Sequence, residues 1–172
     1  MPAIIREATP KDAPHLAEIH VRAWQAAYRG QLDDDYLDAL EVHDRLDQHR
    51  RSLDEPRAGW RTWLAEEEGR VVGFAVTGPI EDADAERTTA EVYAIYLEPD
   101  RVGTGLGREL FAHAVDDLRE RGFDSATLWV LETNERARRF YEIAGWKPDG
   151  TITSERVDCE MRPTVRYRTM LG

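Results

Sequence analysis

Ala90-Glu91-Val92-Tyr93-Ala94-Ile95-Tyr96-Leu97-Glu98-Pro99-Asp100 runs directly into Arg101-Val102-Gly103-Thr104-Gly105-Leu106-Gly107. The first part is rich in β-branched and aromatic residues and is bounded by Pro99, the pattern of a strand that stops there. Beyond the turn, Leu106, Leu110, Phe111, Ala114 and Leu118 recur at helical spacing and predict a helix ending at Gly122. Glycines occupy the alternate positions 103, 105 and 107 between the two. Glycine reaches backbone conformations that other residues resist and lets a ligand approach main-chain amides closely. N–H groups at a helix start lack internal partners and, with the helix dipole, attract phosphate. The turn therefore predicts a phosphate-bearing ligand; a tight strand-to-helix connection without a ligand is the plainer alternative.

Two familiar phosphate motifs do not fit. A nucleotide P-loop needs Gly-Lys-Ser or Gly-Lys-Thr, whereas Gly107 is followed by Arg108-Glu109. A dinucleotide fingerprint follows an early strand of a parallel βαβ unit. This turn lies past the middle of the chain, after an apparent antiparallel hairpin at 60–67 and 70–80 that turns at Glu68-Gly69.

Working outward, residues 3–7 read as a first strand. Thr9-Pro10-Lys11-Asp12 starts a helix, with Thr9 or Asp12 as its cap, that runs to Tyr28 and stops at Gly30. Its residues Leu16, Ile19, Ala23 and Ala27 form one stripe, and His20, Trp24 and Tyr28 a second. Asp33-Asp34-Asp35 caps a second helix, 36–53. An acidic loop at 81–87 precedes the strand 88–97. After the glycine turn come a strand at 124–131, a helix at 135–144 capped by Asn134 and ended by Gly145, and two strands, 146–153 and 157–170, joined near Thr153-Ser154-Glu155. The order predicts a single mixed α/β domain over 1–172, with a twisted mixed sheet of seven strands and helices on both faces.

Composition narrows the function. With 172 residues, 41% hydrophobic and 33% charged, the chain reads as a globular domain. A formal charge of −11 argues against a nucleic-acid partner, whose binding rests on phosphate neutralisation, and suits a cationic substrate. One cysteine, Cys159, excludes an internal disulfide framework and makes the cytoplasm the expected setting. The first residues lack the pattern of a signal peptide, and no stretch has the length of a membrane span. The five histidines show no pair at the four-residue offset of a helical zinc site, so no metal is expected.

Strand 90–100, the glycine turn and Leu110 together resemble motif A of the GNAT superfamily of N-acetyltransferases. Asn134, Ala137, Phe140-Tyr141 and Gly145-Trp146 resemble its motif B, and Arg6-Glu7-Ala8-Thr9 with Asp12, Trp24 and Tyr28 resembles its opening. The resemblance covers nearly the whole chain. It implies transfer of an acetyl group from acetyl-CoA to an amine, a small molecule, a polyamine or a protein amine, in a ternary complex. The family's turn carries Gln or Arg just before the first glycine; here that position is Val102, with Arg101 one place early. The resemblance thus rests phosphate binding on the backbone of 102–107, with Arg101 or Arg108 as side-chain partners.

The resemblance also distributes roles. Glu91, fourteen residues ahead of Gly105, matches a catalytic glutamate of some members; a strand-end carboxylate that only attracts a cation is the alternative. Tyr141 matches the acid that protonates the coenzyme A sulfur, against a role as a core aromatic. Asn134 is a pantetheine partner, a helix cap, or both. Ile95, Tyr96 and Leu97 offer backbone groups to the pantetheine, which binds like an added strand. Trp24 and Tyr28 are candidates to contact the acceptor, with packing as their alternative role, and Tyr93, on the face of Glu91, is the fallback proton relay or a substrate contact. Dimers are common in the family, and the strand segment Val165-Arg166-Tyr167-Arg168 is a candidate to pair across subunits. The rival from another class is an acyl-CoA-binding module without catalysis.

Overall fold

A computed structural model of the chain describes residues 2–172. Its strands are β1 (Ile4–Glu7), β2 (Arg61–Glu67), β3 (Arg70–Pro79), β4 (Thr89–Leu97), β5 (Ser125–Leu131), β6 (Lys147–Arg156) and β7 (Met161–Met170). They form one sheet in the order β1-β2-β3-β4-β5-β7-β6, in which only the β4–β5 pairing is parallel. The helices are α1 (Ala13–Ala27), α2 (Asp34–Asp38), α3 (Val42–Asp54), α4 (Leu106–Glu120) and α5 (Glu135–Ile143).

Strand alternation distributes the core over both faces of the sheet. Leu64 and Phe74 meet Leu16 and Ile19 of α1 and Leu53 of α3 on one face. Ala75 meets Leu110 and Ala114 of α4 on the other. Phe111, Val115 and Leu118 extend that second face over β4, β5 and β7, where Phe140 and Tyr141 of α5 join them. The predicted mixed sheet, covered on both faces, is what forms.

Several boundaries differ from the sequence expectation. The helix expected over 36–53 is two helices, broken at Ala39-Leu40-Glu41. Leu37 of α2 is fully buried against Leu32 and Leu131, whereas Leu53 of α3 packs toward α1 and β3. One straight helix cannot direct both anchors to their separate clusters. Asp33 does cap α2, accepting the Tyr36 N–H at 2.9 Å. At the chain start, a 3₁₀ turn at Pro10–Asp12 precedes α1, and the Asp12 carboxylate accepts the Thr9 N–H at 2.8 Å. The last hairpin turns at 157–160 instead of 153–155. Thr153 pairs with Thr164 and Arg156 with Met161, so β6 continues past the expected turn. Asp158 organises the turn by accepting the N–H groups of Glu160 and Asp33 and pairing with Arg162. Finally, residues 165–168 lie in β7 between β5 and β6 and have no free edge, so this segment cannot pair with a second subunit.

Candidate active site

The sheet forks at its centre. β4 and β5 pair only at Thr89↔Ser125, Ala90↔Ala126 and Glu91↔Thr127. Beyond Glu91, β4 stays with β3 and β5 stays with β7, and the two strands diverge. A cleft of about 660 Å³ fills the fork. Its walls come from β4 between Glu91 and Leu97, from Trp129 to Leu131 of β5, and from α1 and α5.

A bulge shapes the β4 wall. Val76 pairs with Ala94 and Thr77 with Val92, leaving Tyr93 as the extra residue. Ala90 and Val92 face α4 before the bulge, and Ile95 and Leu97 do so after it. The change of parity keeps Glu91 and Tyr93 on the α1 side, together with Ala94 and Tyr96. Simple alternation would not put all four there.

At the other end of the cleft the three glycines have separate tasks. Gly103 and Gly105 have φ of 83° and 93°, in the left-handed region that a Cβ disfavours. Gly107 is inside α4, where a Cβ would lie 3.1 Å from Leu97 Cδ1 and 3.6 Å from Phe140 Cε2. It permits close packing. The Glu109 N–H bonds Gly105 O at 3.2 Å, so the N–H groups ahead of it, at Leu106, Gly107 and Arg108, sit at the open helix start. The side chains here are mostly occupied elsewhere. Leu106 is buried with Ala65 and Val72, and the Thr104 hydroxyl donates to Arg101 O at 2.7 Å. Val102 is 41% exposed and lines the cleft. Arg101 pairs with Glu67 at 2.6 Å and Asp100 at 3.2 Å, and Arg108 is exposed outside the cleft wall. Arg136, on the first turn of α5, lines the cleft instead. Its Nη2 lies 3.6 Å from where a Cβ on Gly103 would sit. In the sequence Arg136 is one arginine among several on a polar helix, with no mark to single it out.

Glu91 sits at the crotch of the fork and is 7% exposed, with no hydrogen bond to its carboxylate among the described residues. Burial, then the nearby carboxylates of Asp82, Glu81 and Glu155, push its pKa up to about 8; Arg166 acts in the opposite direction. A carboxyl titrating there can exchange a proton near neutral pH. Tyr141 of α5 lines the same cleft, its ring 5.6 Å from Phe111 and 5.4 Å from Phe140. Desolvation, with Tyr96 adding to it, raises its pKa and holds the hydroxyl protonated. Asn134 caps α5 through Oδ1, which accepts the Ala137 N–H at 3.2 Å, and also lines the cleft. Its cap role thus coexists with a place in the cleft wall beside the Tyr28 hydroxyl.

The aromatic residues divide. Trp24 and Tyr28, in edge contact at 4.9 Å, pack against the Leu32, Leu37 and Leu131 cluster and also line the cleft. Tyr93 lines it too, but its hydroxyl donates to Pro79 O at 2.5 Å and its ring stacks on Trp60 at 4.1 Å. His20 is behind the wall. It stacks on Tyr96 at 5.0 Å, and its Nδ1 lies 3.1 Å from His49 Nε2. Burial pushes these histidines down to about 3 and about 4, so the pair is neutral. No spacing in the sequence shows this contact. The 81–87 loop is held across β5 and β7: Asp82 accepts from Trp129 Nε1 at 3.2 Å and from Arg166 at 3.0 Å. Arg166, 4% exposed, also pairs with Asp84 and Asp149.

Known proteins are similar to this chain in sequence and in fold. A family model described as the acetyltransferase (GNAT) family matches residues 13–146. The uncharacterized N-acetyltransferase YuaI of Bacillus subtilis is 36% identical over 132 residues, covering 76% of this chain and 72% of its own. The probable N-acetyltransferase Rv2775 of Mycobacterium tuberculosis is 30% identical over 168 residues, covering 95% and 91%. In fold, the chain is similar to the PaiA N-acetyltransferase of Thermoplasma acidophilum, solved in complex with coenzyme A, with a TM-score of 0.75, 20% identity and 99% of each chain covered. It is also similar to yncA of Salmonella typhimurium, a putative acetyltransferase solved with acetyl-CoA, with a TM-score of 0.72, 23% identity, and 100% of this chain and 95% of that one covered. The matched span starts at the first residue of α1 and stops at Trp146, so it takes in every element that frames the fork except the final hairpin; on that ground the chain belongs to the acetyltransferase (GNAT) family of enzymes.

Proposed function

We infer that Glu91 and Tyr141 carry acetyl transfer from acetyl-CoA to an amine in this acetyltransferase, by direct attack in a ternary complex. The observation that carries this is Glu91 itself: a buried carboxyl with no hydrogen-bond partner among the described residues, facing the cleft where β4 and β5 part, its pKa pushed up to about 8 chiefly by that burial. The cleft fits the donor. Left-handed glycines at 103 and 105 and open N–H groups at 106–108 suit a pyrophosphate. The β4 edge at Ile95, Tyr96 and Leu97, turned away from β5, suits an extended pantetheine arm, with the Asn134 amide beside it. Arg136 lines the cleft at this end, and Arg101 and Arg108 flank the glycines in the sequence.

The donor supplies an acyl carbon activated as a thioester. Glu91 takes a proton from the acceptor amine, directly or through a water, as the nitrogen–carbon bond forms. A main-chain N–H of the β4 edge stabilises the developing oxyanion. Tyr141 gives its proton to the sulfur as the carbon–sulfur bond breaks and is reprotonated from solvent; Glu91 returns its proton to solvent. Trp24, Tyr28 and the ring face of Tyr93 contact the acceptor.

We further propose that the chain works as one domain over 1–172, in the cytoplasm, as a homodimer. An unpaired, exposed Cys159 suits that setting, and among the described residues no helix is long and apolar enough to cross a membrane. The edge strand β6, with Ile152 62% exposed, offers a second copy the edge that β7 lacks. The test of the enzyme reading is release of coenzyme A thiol over a panel of amines. Tight coenzyme A binding without thiol release from any of them marks a non-catalytic binding module and contradicts it.

A further inference from the structure

The acceptor end of the cleft carries a charge pattern that the acetyl-transfer chemistry does not need. Glu91 accounts for one carboxylate. Glu155 of β6 also lines the cleft, whereas Glu81 and Asp82 act on Glu91 through their charge from outside its lining, Glu81 paired with Arg57 and Asp82 with Arg166. Both of these cations are spent on carboxylates. Arg166 is paired with Asp82, Asp84 and Asp149, so it has no free valence for an anionic ligand. The cleft's one arginine among the described residues, Arg136, stands at the opposite end against Gly103. Glu91, more than nine-tenths buried and without a hydrogen-bond partner among the described residues, faces into this acidic end. Trp24 and Tyr28 add aromatic walls, which bind methylene chains and favour cations.

We propose that the acceptor is a dicationic alkylamine of the diamine or polyamine class: one amine is deprotonated at Glu91 while a second, still charged, is held by Glu155. An acceptor bearing a free carboxylate near the amine is disfavoured, because that group meets Glu91 and Glu155 in the cleft wall while Arg57 and Arg166 are already paired. The proposal rests on the fork being the acetyl-transfer site and adds to it the class of substrate.

The test compares three amines with the same four-carbon spacing, putrescine, butylamine and γ-aminobutyrate, whose far ends are cationic, neutral and anionic. Coenzyme A thiol release gives kcat/KM for each in wild type and in Glu155→Gln, at low and raised salt. Putrescine is expected to exceed butylamine by about tenfold at low salt, with γ-aminobutyrate lowest. The amines also differ in basicity, so the deciding readout is the change in their ratio. Glu155→Gln and raised salt should each shrink the putrescine-to-butylamine ratio by about threefold or more. A ratio that both leave unchanged, or a preference for γ-aminobutyrate, overturns the dication while acetyl transfer stands. No thiol release from any of the three, nor from a broader amine panel, overturns acetyl transfer and the dication with it.

Discussion

The two ends of the cleft are built from different materials. The end at 102–108 is backbone: two left-handed glycines, one glycine that lets α4 approach Leu97, and N–H groups at a helix start, all within seven consecutive residues. The end around Glu91 is side chain: a strand carboxyl, carboxylates from the 81–87 loop and β6, a buried arginine on β7 and aromatic rings from α1. A site of main-chain groups presents the same donors whichever residues flank it, as Val102 illustrates in place of a polar residue. A site of side chains from five segments is free to change one charge at a time. The contrast matches a constant donor at one end and an acceptor that differs between enzymes at the other.

If the two ends are separable, substitutions should affect one without the other. Glu91→Gln is expected to have the largest effect, lowering kcat by about a hundredfold or more while the coenzyme A Kd stays within about twofold. Tyr141→Phe should follow, lowering kcat by about tenfold to a hundredfold with cofactor affinity kept. Equal losses in Kd and kcat in either variant, measured by calorimetry and steady-state kinetics, would break the division. Gly105→Ala tests the backbone end. A Cβ there meets no atom within 4 Å, so its cost is the left-handed φ, about 1–2 kcal/mol, or about tenfold in coenzyme A affinity if the turn relaxes to escape it. Arg136→Ala should weaken coenzyme A by about threefold to fivefold at low salt and by less at high salt. No change at low salt removes Arg136 from the phosphate end.

The smallest expected effects are on stability, with two signs. His20 and His49 titrate at about 3 and about 4, below the ordinary 6.5, because burial disfavours the imidazolium. Between those values the unfolded chain binds protons that the native chain refuses. Their contribution is present above pH 6.5 and is lost as pH falls toward 3. Glu91 has the reverse sign. From pH 4.5 to about 8 the native chain keeps a proton that the unfolded chain releases, so this contribution is present below 4.5 and lost as pH rises through about 8. Glu91→Gln should therefore melt a few degrees above wild type at pH 8, with the gap closing toward pH 4.5. A gap independent of pH contradicts the assignment.

The same contrast decides what could be read from the sequence. The glycine turn, the Asn134 cap and the helix carrying Tyr141 are local patterns, and the strand that bears Glu91 precedes the turn without interruption. Those elements were legible because their physics spans a few residues. The split between α2 and α3 was not, since it depends on where Leu37 and Leu53 find partners far along the chain. The bulge at Tyr93 was hidden because 90–97 alone reads as an unbroken strand; only pairing with β3 reveals the extra residue. His20 meets His49, and Arg166 meets Asp82, across separations that no spacing rule covers. Arg136 is legible only once α5 is placed against Gly103.

The most direct test of the central claim, that the carboxyl at the fork is the base for acetyl transfer, is the pH dependence of kcat/KM for wild type and Glu91→Gln with one amine acceptor. The wild-type rate is expected to rise with pH and to bend near pH 8 as Glu91 ionises, and the variant to lie about a hundredfold lower at that pH with the bend gone. A variant profile with the same height and the same bend would contradict it.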